Sequence, residues 1–305
     1  MNQYALDSIK LAKNYGNTQA LKEVTFSIKK GEIFSLLGRN GAGKTTFVRI
    51  ATGQLMPTSG KLSVAGYDII KEVEKVRENI AVVPQEARVI RSSSACEFIQ
   101  LYLLMRGNVG IENTRTIALN ALKKIGLEHK ANISARQLSG GERHKMLLAC
   151  AIASDASVLF LDEPSIGLDV HSRRKLWEIL LKLKSEGKTI VLTTHYLDEA
   201  EFLSDRIAVI NKGVVCKIGS PSAIIKDSGF ELRVDIDESD IEKLTIPKGV
   251  KVNKLADKVR VLGEEKIVKK IVSQALSKKL KVSVAGPNLE DAFLNLVGAE
   301  NEQQN

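Results

Sequence analysis

Residues Gly38 to Thr46 read G-R-N-G-A-G-K-T-T and fit the pattern G-x-x-x-x-G-K-[ST]. Those residue types at that spacing suit polyphosphate. Gly38, Gly41 and Gly43 lack a Cβ and let the backbone wrap closely around an anion. The amides of the wrapped stretch, Arg39, Asn40, Ala42 and Thr46 among them, then form a nest of donors, and a helix opening there also favours negative charge. Lys44 adds a point charge for β- and γ-phosphates, and the Thr45 hydroxyl can ligate Mg2+. Other chemistry-bearing residues stand at the ends of apolar runs. Val158 to Leu161 lead into Asp162 and Glu163, Ile80 to Pro84 lead into Gln85, and Thr189 to Thr194 lead into His195. Carboxylates delivered beside a phosphate loop suit a divalent cation and an attacking water. Gln85 or His195 alone would read as structural; shared placement at strand ends makes both candidates.

Such residues need a sheet on which to converge, and the chain provides one. Ile33 to Leu37 is an apolar run suited to a buried strand before the loop, and Phe47 to Ala51 continues as a helix. In open α/β sheets, ligands bind where strands end. Ahead of this, residues 4–34 read as strand, turn and strand, with Gly16-Asn17 at the turn and Tyr15 beside it, where an aromatic ring could stack on a base. Lys61 to Gly66 reads as another strand and Lys71 to Asn79 as a short charged helix. From about 86 to 153 the pattern turns helical: Cys96 to Met105, then Thr114 to Ile125, then Arg143 to Ala153 after Leu138-Ser139-Gly140-Gly141-Glu142. An amphipathic helix follows Asp169, and strands Arg206 to Asn211 and Val214 to Ile218 close the unit.

The tail has a different texture. Strands at Glu231 to Ile236, Val259 to Leu262 and Lys281 to Ala285 surround a helical stripe at Ile267 to Leu276, and a short helix spans Leu289 to Val297. This predicts a small α+β domain over 230–305 behind a larger α/β domain over 1–229. The chain of 305 residues carries a net charge of +9. From Phe230 onward 13 basic residues balance 13 acidic ones, so the excess lies with the phosphate-binding part. Basic residues are dispersed and aromatics scarce, which favours a mixed solvated surface with a phosphate site; no direct nucleic-acid partner is expected. No run approaches the length of apolar residues that spans a bilayer. The N-terminus lacks a signal-peptide pattern, so a cytosolic chain is expected. Cys96, Cys150 and Cys216 are odd in number and widely spaced, arguing against a disulfide or metal framework.

Taken together the motifs resemble the nucleotide-binding subunit of an ABC transporter over about residues 4–225. Tyr15 matches the aromatic adenine-stacking position, Gly38 to Thr46 the Walker A loop and Gln85 the Q-loop. Leu138 to Glu142 matches the LSGGQ signature with Glu in place of the last Gln. Val158 to Glu163 matches Walker B with the catalytic glutamate, Ser165 to Asp169 the D-loop, and His195 the switch histidine. The resemblance implies a P-loop NTPase cassette with a mixed sheet core, an antiparallel β subdomain and a helical subdomain. It implies ATP and Mg2+, with Thr45 and Gln85 holding the cation, Asp162 in its outer sphere, Glu163 as general base and His195 at the γ-phosphate. Ser139, Gly140 and Gly141 would complete a partner's site in trans, and Asp169 would link the two subunits.

One loop and one signature per chain imply a second ATPase subunit, identical or paralogous, and a separate integral membrane permease at the cytoplasmic face. Glu142 departs from the family pattern and sets a carboxylate near nucleotide, which is expected to modulate function. The tail Asn288 to Gly298 resembles ATPases of ABC-2 type drug and antibiotic exporters; lipid and ion exporters share related tails. A non-transport ABC ATPase acting on ribosomes or DNA is disfavoured, because one chain carries a single cassette and no long coiled coil.

Overall fold

The computed structural model describes residues 3–85, 89–90, 92–107 and 109–298. A hairpin opens the fold, with β1 (Tyr4–Tyr15) and β2 (Thr18–Lys29) pairing antiparallel about the Gly16-Asn17 turn. Leu21, Val24, Phe26 and Ile28 point inward while their neighbours stay wet, the alternation of a sheet covered on one face. β3 (Ile33–Leu37) is buried along its whole length and leads through the glycine loop into α1 (Lys44–Ala51). β4 (Ser59–Val64) returns to β1, and the two-residue β5 (Tyr67–Asp68) pairs with β4, giving a first sheet of order β2-β1-β4-β5.

After α2 (Val73–Asn79), β6 (Ile80–Val83) enters the central layer. Three helices follow: α3 (Ala95–Arg106), α4 (Ile111–Lys124) and α5 (Gly140–Ala153). They pack on one another around Cys96, Ile99, Leu122 and Met146. Of the expected start of this helical region, residues 86–88 lie outside the described residues. Next come β7 (Val158–Asp162), α6 (Val170–Ser185), β8 (Thr189–Thr194), α7 (Leu197–Leu203), β9 (Arg206–Asn211) and β10 (Val214–Gly219).

The central sheet has the order β10-β9-β3-β8-β7-β6. The pairs β6–β7, β7–β8, β8–β3 and β3–β9 are parallel, and parallel strands covered on both faces read as unbroken apolar runs. The register sets Leu37 beside Thr194, Asp162 beside Thr193, and Val83 beside Leu161. Four strands therefore end at one edge, and each hands its next residues to the same place.

The chain divides into two compact units, Met1–Lys217 and Ile218–Asn305. The division lies inside β10, ahead of the 229/230 boundary expected from sequence. α8 (Pro221–Asp227), started by Ser220 as N-cap and Pro221, accounts for the difference, because it packs against α10 (Leu289–Gly298) at the end of the chain. The second unit is a four-stranded antiparallel sheet of order β12-β13-β11-β14, formed by β11 (Leu232–Asp237), β12 (Lys251–Lys254), β13 (Lys258–Gly263) and β14 (Val282–Ala285). α9 (Glu265–Ser277) lays Val268, Ile271 and Ala275 on Val234, Ile236, Val259 and Val261 of that sheet.

Charge ties the final helix to its sheet. Arg260 on β13 grips Asp235 on β11 with two nitrogens, at 2.8 and 3.2 Å, and reaches Glu290 and Asp291 of α10 at 3.0 Å each. Arg233 takes the other Asp291 oxygen at 3.0 Å, and Asp291 is fully buried. Breaking such a network leaves buried carboxylate unpaired. Arg260→Met is expected to destabilise the second unit by about 3 kcal/mol, read in a urea titration of the full chain.

Candidate functional site

The glycine loop owes its shape to close backbone neighbours. A Cβ on Gly38 would lie 2.3 Å from the Ile210 carbonyl oxygen. At Gly43, with φ of 108°, a Cβ would lie 2.6 Å from the Ala20 carbonyl oxygen, so β2 forbids any side chain there. Between these points the Ala42 amide donates to the Arg39 carbonyl at 3.1 Å and closes the turn.

Lys44 opens α1 and is only 4% exposed. Its Nζ donates to the carbonyls of Gly38 at 2.7 Å and Arg39 at 3.2 Å, and lies 3.7 Å from Glu163 Oε1. Burial pushes the ammonium below the ordinary lysine range, while the Glu163 and Asp162 carboxylates oppose that shift.

Asp162 ends β7, and its Oδ1 accepts from Thr45 Oγ1 at 3.4 Å and from Thr193 Oγ1 on the adjacent strand. Glu163 follows with φ of 51°, the left-handed region that a glutamate rarely occupies. Its amide is held by the Thr193 carbonyl at 3.1 Å and the Thr193 hydroxyl at 3.0 Å. That turn swings the carboxylate back toward Lys44 and sets Oε2 3.1 Å from His195 Nδ1.

Two cavities border the cluster. One of about 350 Å3 is lined by Thr45, Gln85, Asp162, Val82 and Pro84. Another of about 260 Å3 is lined by Asn40, Gly41, Lys44, Thr46, Gln85 and Glu163, with Ala20 of β2 at its side. The first offers hydroxyl, amide and carboxylate oxygens, the hard donor set that suits Mg2+. Among the described residues no three His, Cys, Asp or Glu side chains cluster as a metal cage.

Not every candidate meets at this edge. Tyr15 is 47% exposed on the hairpin, with Lys13 Nζ 5.3 Å from its ring centre, and it lines neither cavity. Ser139, Gly140 and Gly141 also stand apart, at the start of α5. Here a capping box forms: Ser139 Oγ accepts from the Glu142 amide at 3.2 Å, and Glu142 Oε2 accepts from the Ser139 amide at 3.0 Å. Asp169 caps α6, accepting from the Ser172 amide at 2.9 Å and the Ser172 hydroxyl at 2.7 Å, bonds that lower its pKa.

Glu142, the departure in the signature segment, has a partner that the sequence did not announce. Lys130, in the short 3-10 turn Glu128–Lys130, reaches Glu142 Oε1 at 2.5 Å. Lys130 and the Ser139 amide hold this carboxyl below its ordinary value. The next residue, Arg143, donates to the Leu138 carbonyl at 2.6 Å and braces the same turn. Thr193, like Lys130, went unnoticed in sequence, since β8 carries three threonines and nothing local sets this one apart.

With this geometry in hand, comparison with known proteins identifies the family. The ABC transporter family description matches residues 21–166. The linearmycin resistance ATP-binding protein LnrL of Bacillus subtilis is 32% identical over 306 residues, covering 96% of this chain and 98% of that protein. The chain belongs to the ABC transporter ATP-binding proteins. Another relative of this ABC ATPase is the Nod factor export ATP-binding protein I of Rhizobium etli, 33% identical over 312 residues and covering 98% of this chain and 95% of that protein. Among solved structures, the dimeric post-hydrolysis state of the ATP-binding cassette MJ0796 bound to ADP and Pi has a TM-score of 0.64 and 30% identity. It covers 70% of this chain and 98% of that cassette, whereas the two export relatives align over nearly the whole chain.

A folded-state pKa below the ordinary 4.5 means that the Glu142 contacts stabilise the fold above that pH and are lost as pH falls through the depressed value. Lys130→Met is expected to move the Glu142 titration up toward the ordinary glutamate value, followed by carboxyl 13C NMR. Thr193→Val strips a buried bond from both Asp162 and the Glu163 amide, and should cost about 1–3 kcal/mol in a denaturant melt.

Proposed function

We propose that this ABC ATPase binds ATP with Mg2+ as one half of a two-fold pair and drives export through a separate membrane subunit. The observation that carries the reading is the buried Lys44–Glu163 pair with the half-buried His195 against it, and Asp162 and Thr45 beside them, at the ends of parallel strands. Gly38 to Thr46 cradle the phosphates with backbone amides, and Lys44 neutralises the terminal ones. Thr45 and Gln85 would hold Mg2+, with Asp162 lining the same cavity; when bound, the cation would neutralise charge on the phosphates.

Glu163 takes a proton from the attacking water as its oxygen bonds to the γ-phosphorus and the bond to the ADP oxygen breaks. His195 orients Glu163 and contacts the γ-phosphate. Tyr15 stacks on the adenine. Ser139, Gly140 and Gly141 present the start of α5 to nucleotide on the partner chain, and Asp169 lies at the junction. Their separation from the loop within one chain supports that division of labour, as does the dimeric form of the related cassette. The partner is a second copy or a paralogue.

Among the described residues no helix is long and apolar enough to cross a membrane, so translocation is assigned to a permease and this chain to its cytoplasmic face. The names of the relatives, one a resistance protein and the other an export protein, support an exported cargo of the antibiotic or Nod factor kind. The unit Ile218–Asn305 is assigned as an accessory domain.

Glu163→Gln keeps shape and removes the base, so hydrolysis should fall by roughly 10^2- to 10^4-fold while ATP still binds and the chain elutes as a dimer with ATP. Phosphate release at the wild-type rate would refute the general-base assignment. Lys44→Ala should weaken nucleotide binding itself, and unchanged affinity in a fluorescent-nucleotide titration would count against the loop.

A further inference from the structure

Glu199 is a fully buried carboxylate, in the first turn of α7 and four residues beyond His195, to which the mechanism above gives no role. Its Oε1 accepts two bonds. One comes from the hydroxyl of Ser165, itself only 1% exposed, in the loop that runs from Glu163 to Asp169. The other comes from the indole of Trp177 on α6 at 3.1 Å. Desolvation raises its pKa, the hydroxyls of Ser165 and Thr194 and the Trp177 indole oppose that shift, and the neighbouring Asp198 charge adds to it. A carboxylate kept in such surroundings is costly, and burying it calls for a reason.

That reason lies two residues upstream of Ser165. Glu163 holds a left-handed backbone, φ 51°, and a residue stays in such a conformation only where its surroundings over-determine it. At its start the loop is fastened by the Glu163 amide to Thr193, and at its end by Asp169 as the cap of α6. Between them, Ser165 on Glu199 is the buried side-chain anchor, and Trp177 ties the same carboxylate to α6. A second fastening runs along the surface, where Arg173 of α6 stacks 4.8 Å from the Tyr196 ring and pairs with Asp198 at 3.0 Å. His195 in turn lies against Tyr196, with ring centres 4.3 Å apart.

We infer that Glu199 is a positioning residue of the hydrolytic site, fastening the Glu163–Asp169 loop to the segment that carries His195. The inference rests on the roles assigned to Glu163 and His195 above. It locates the fixed spacing of base and histidine in a residue that is fully buried behind them. The loop's far end, Asp169, is the part assigned to the subunit junction, so Glu199 also joins the junction to the base.

The test uses the full chain with MgATP. Glu199→Ala and Ser165→Ala should each lower kcat by roughly ten- to a hundredfold, the scale of a small misplacement of reacting groups, with KM changed by less than about twofold. The double variant should be no slower than Glu199→Ala alone, since one bond is removed twice. Glu199→Gln retains an acceptor oxygen for both donors and should restore kcat to within about threefold of wild type. Trp177 is the only tryptophan in the chain, so its emission reports this contact without reference to activity. It should shift to the red in Glu199→Ala and return with Glu199→Gln. Wild-type kcat in Ser165→Ala, or a Glu199→Gln variant as slow as Glu199→Ala, would overturn the inference. Should Glu199→Ala fail to fold, Ser165→Ala and Glu199→Gln decide the matter alone. A Glu163→Gln chain that hydrolyses normally would instead remove the base assignment, whatever Ser165→Ala does.

Discussion

Lys44, Asp162 and Glu163 are charged groups less than a tenth exposed, gathered where parallel strands end. Removing each from water costs several kcal/mol, and mutual attraction repays this only with good geometry and further hydrogen bonds. Much of the first unit is intelligible as the supply of those bonds. β8 provides Thr193 for Asp162 and for the Glu163 amide, the glycine loop provides two carbonyls for Lys44, and the segment after β8 brings His195 to Glu163. The parallel order of the sheet is what allows neighbouring strands to deliver these groups at one edge.

The same arrangement leaves the signature segment and the α6 cap outside the loop's cavities. The start of α5 is held by its own capping box between Ser139 and Glu142. Its carboxylate at Glu142 would oppose an approaching phosphate, and Lys130 offsets that charge from twelve residues away. An unusual residue in a motif is accommodated here by a tertiary neighbour, with no change in the helix itself. In the second unit, Arg260 and Arg233 play a comparable part by tying the acidic start of α10 to the sheet.

Local patterns revealed most of the elements. β3, β7 and β8 stood out because strands buried on both faces must be continuously apolar, and α9 because its apolar stripe repeats at helical spacing. α7 and α8 escaped notice, each seven residues long and too short for a periodic signal. β5 and β12 are short edge strands, and β12 alternates only between partly and fully exposed residues, so it lacks the contrast that marks a half-buried strand. The boundary between units moved for the same reason, since α8 belongs by packing to a helix near the far end of the chain.

For the candidate site, sequence alone determined which residue types stand at strand ends and in the loop, because spacing along the backbone fixes what a turn, a cap or a strand terminus can present. It could not show which partners those residues meet across the fold. The Thr193 bonds to Asp162 and Glu163, the Lys130 contact with Glu142 and the Ser165–Glu199–Trp177 junction join segments 12 to 34 residues apart. No local pattern encodes such contacts. Only when the strands lie in register, with helices packed on the sheet, do these side chains come within bonding distance. Tertiary structure thus decided how the loop, the acids and the histidine are held, and it placed the signature apart from them.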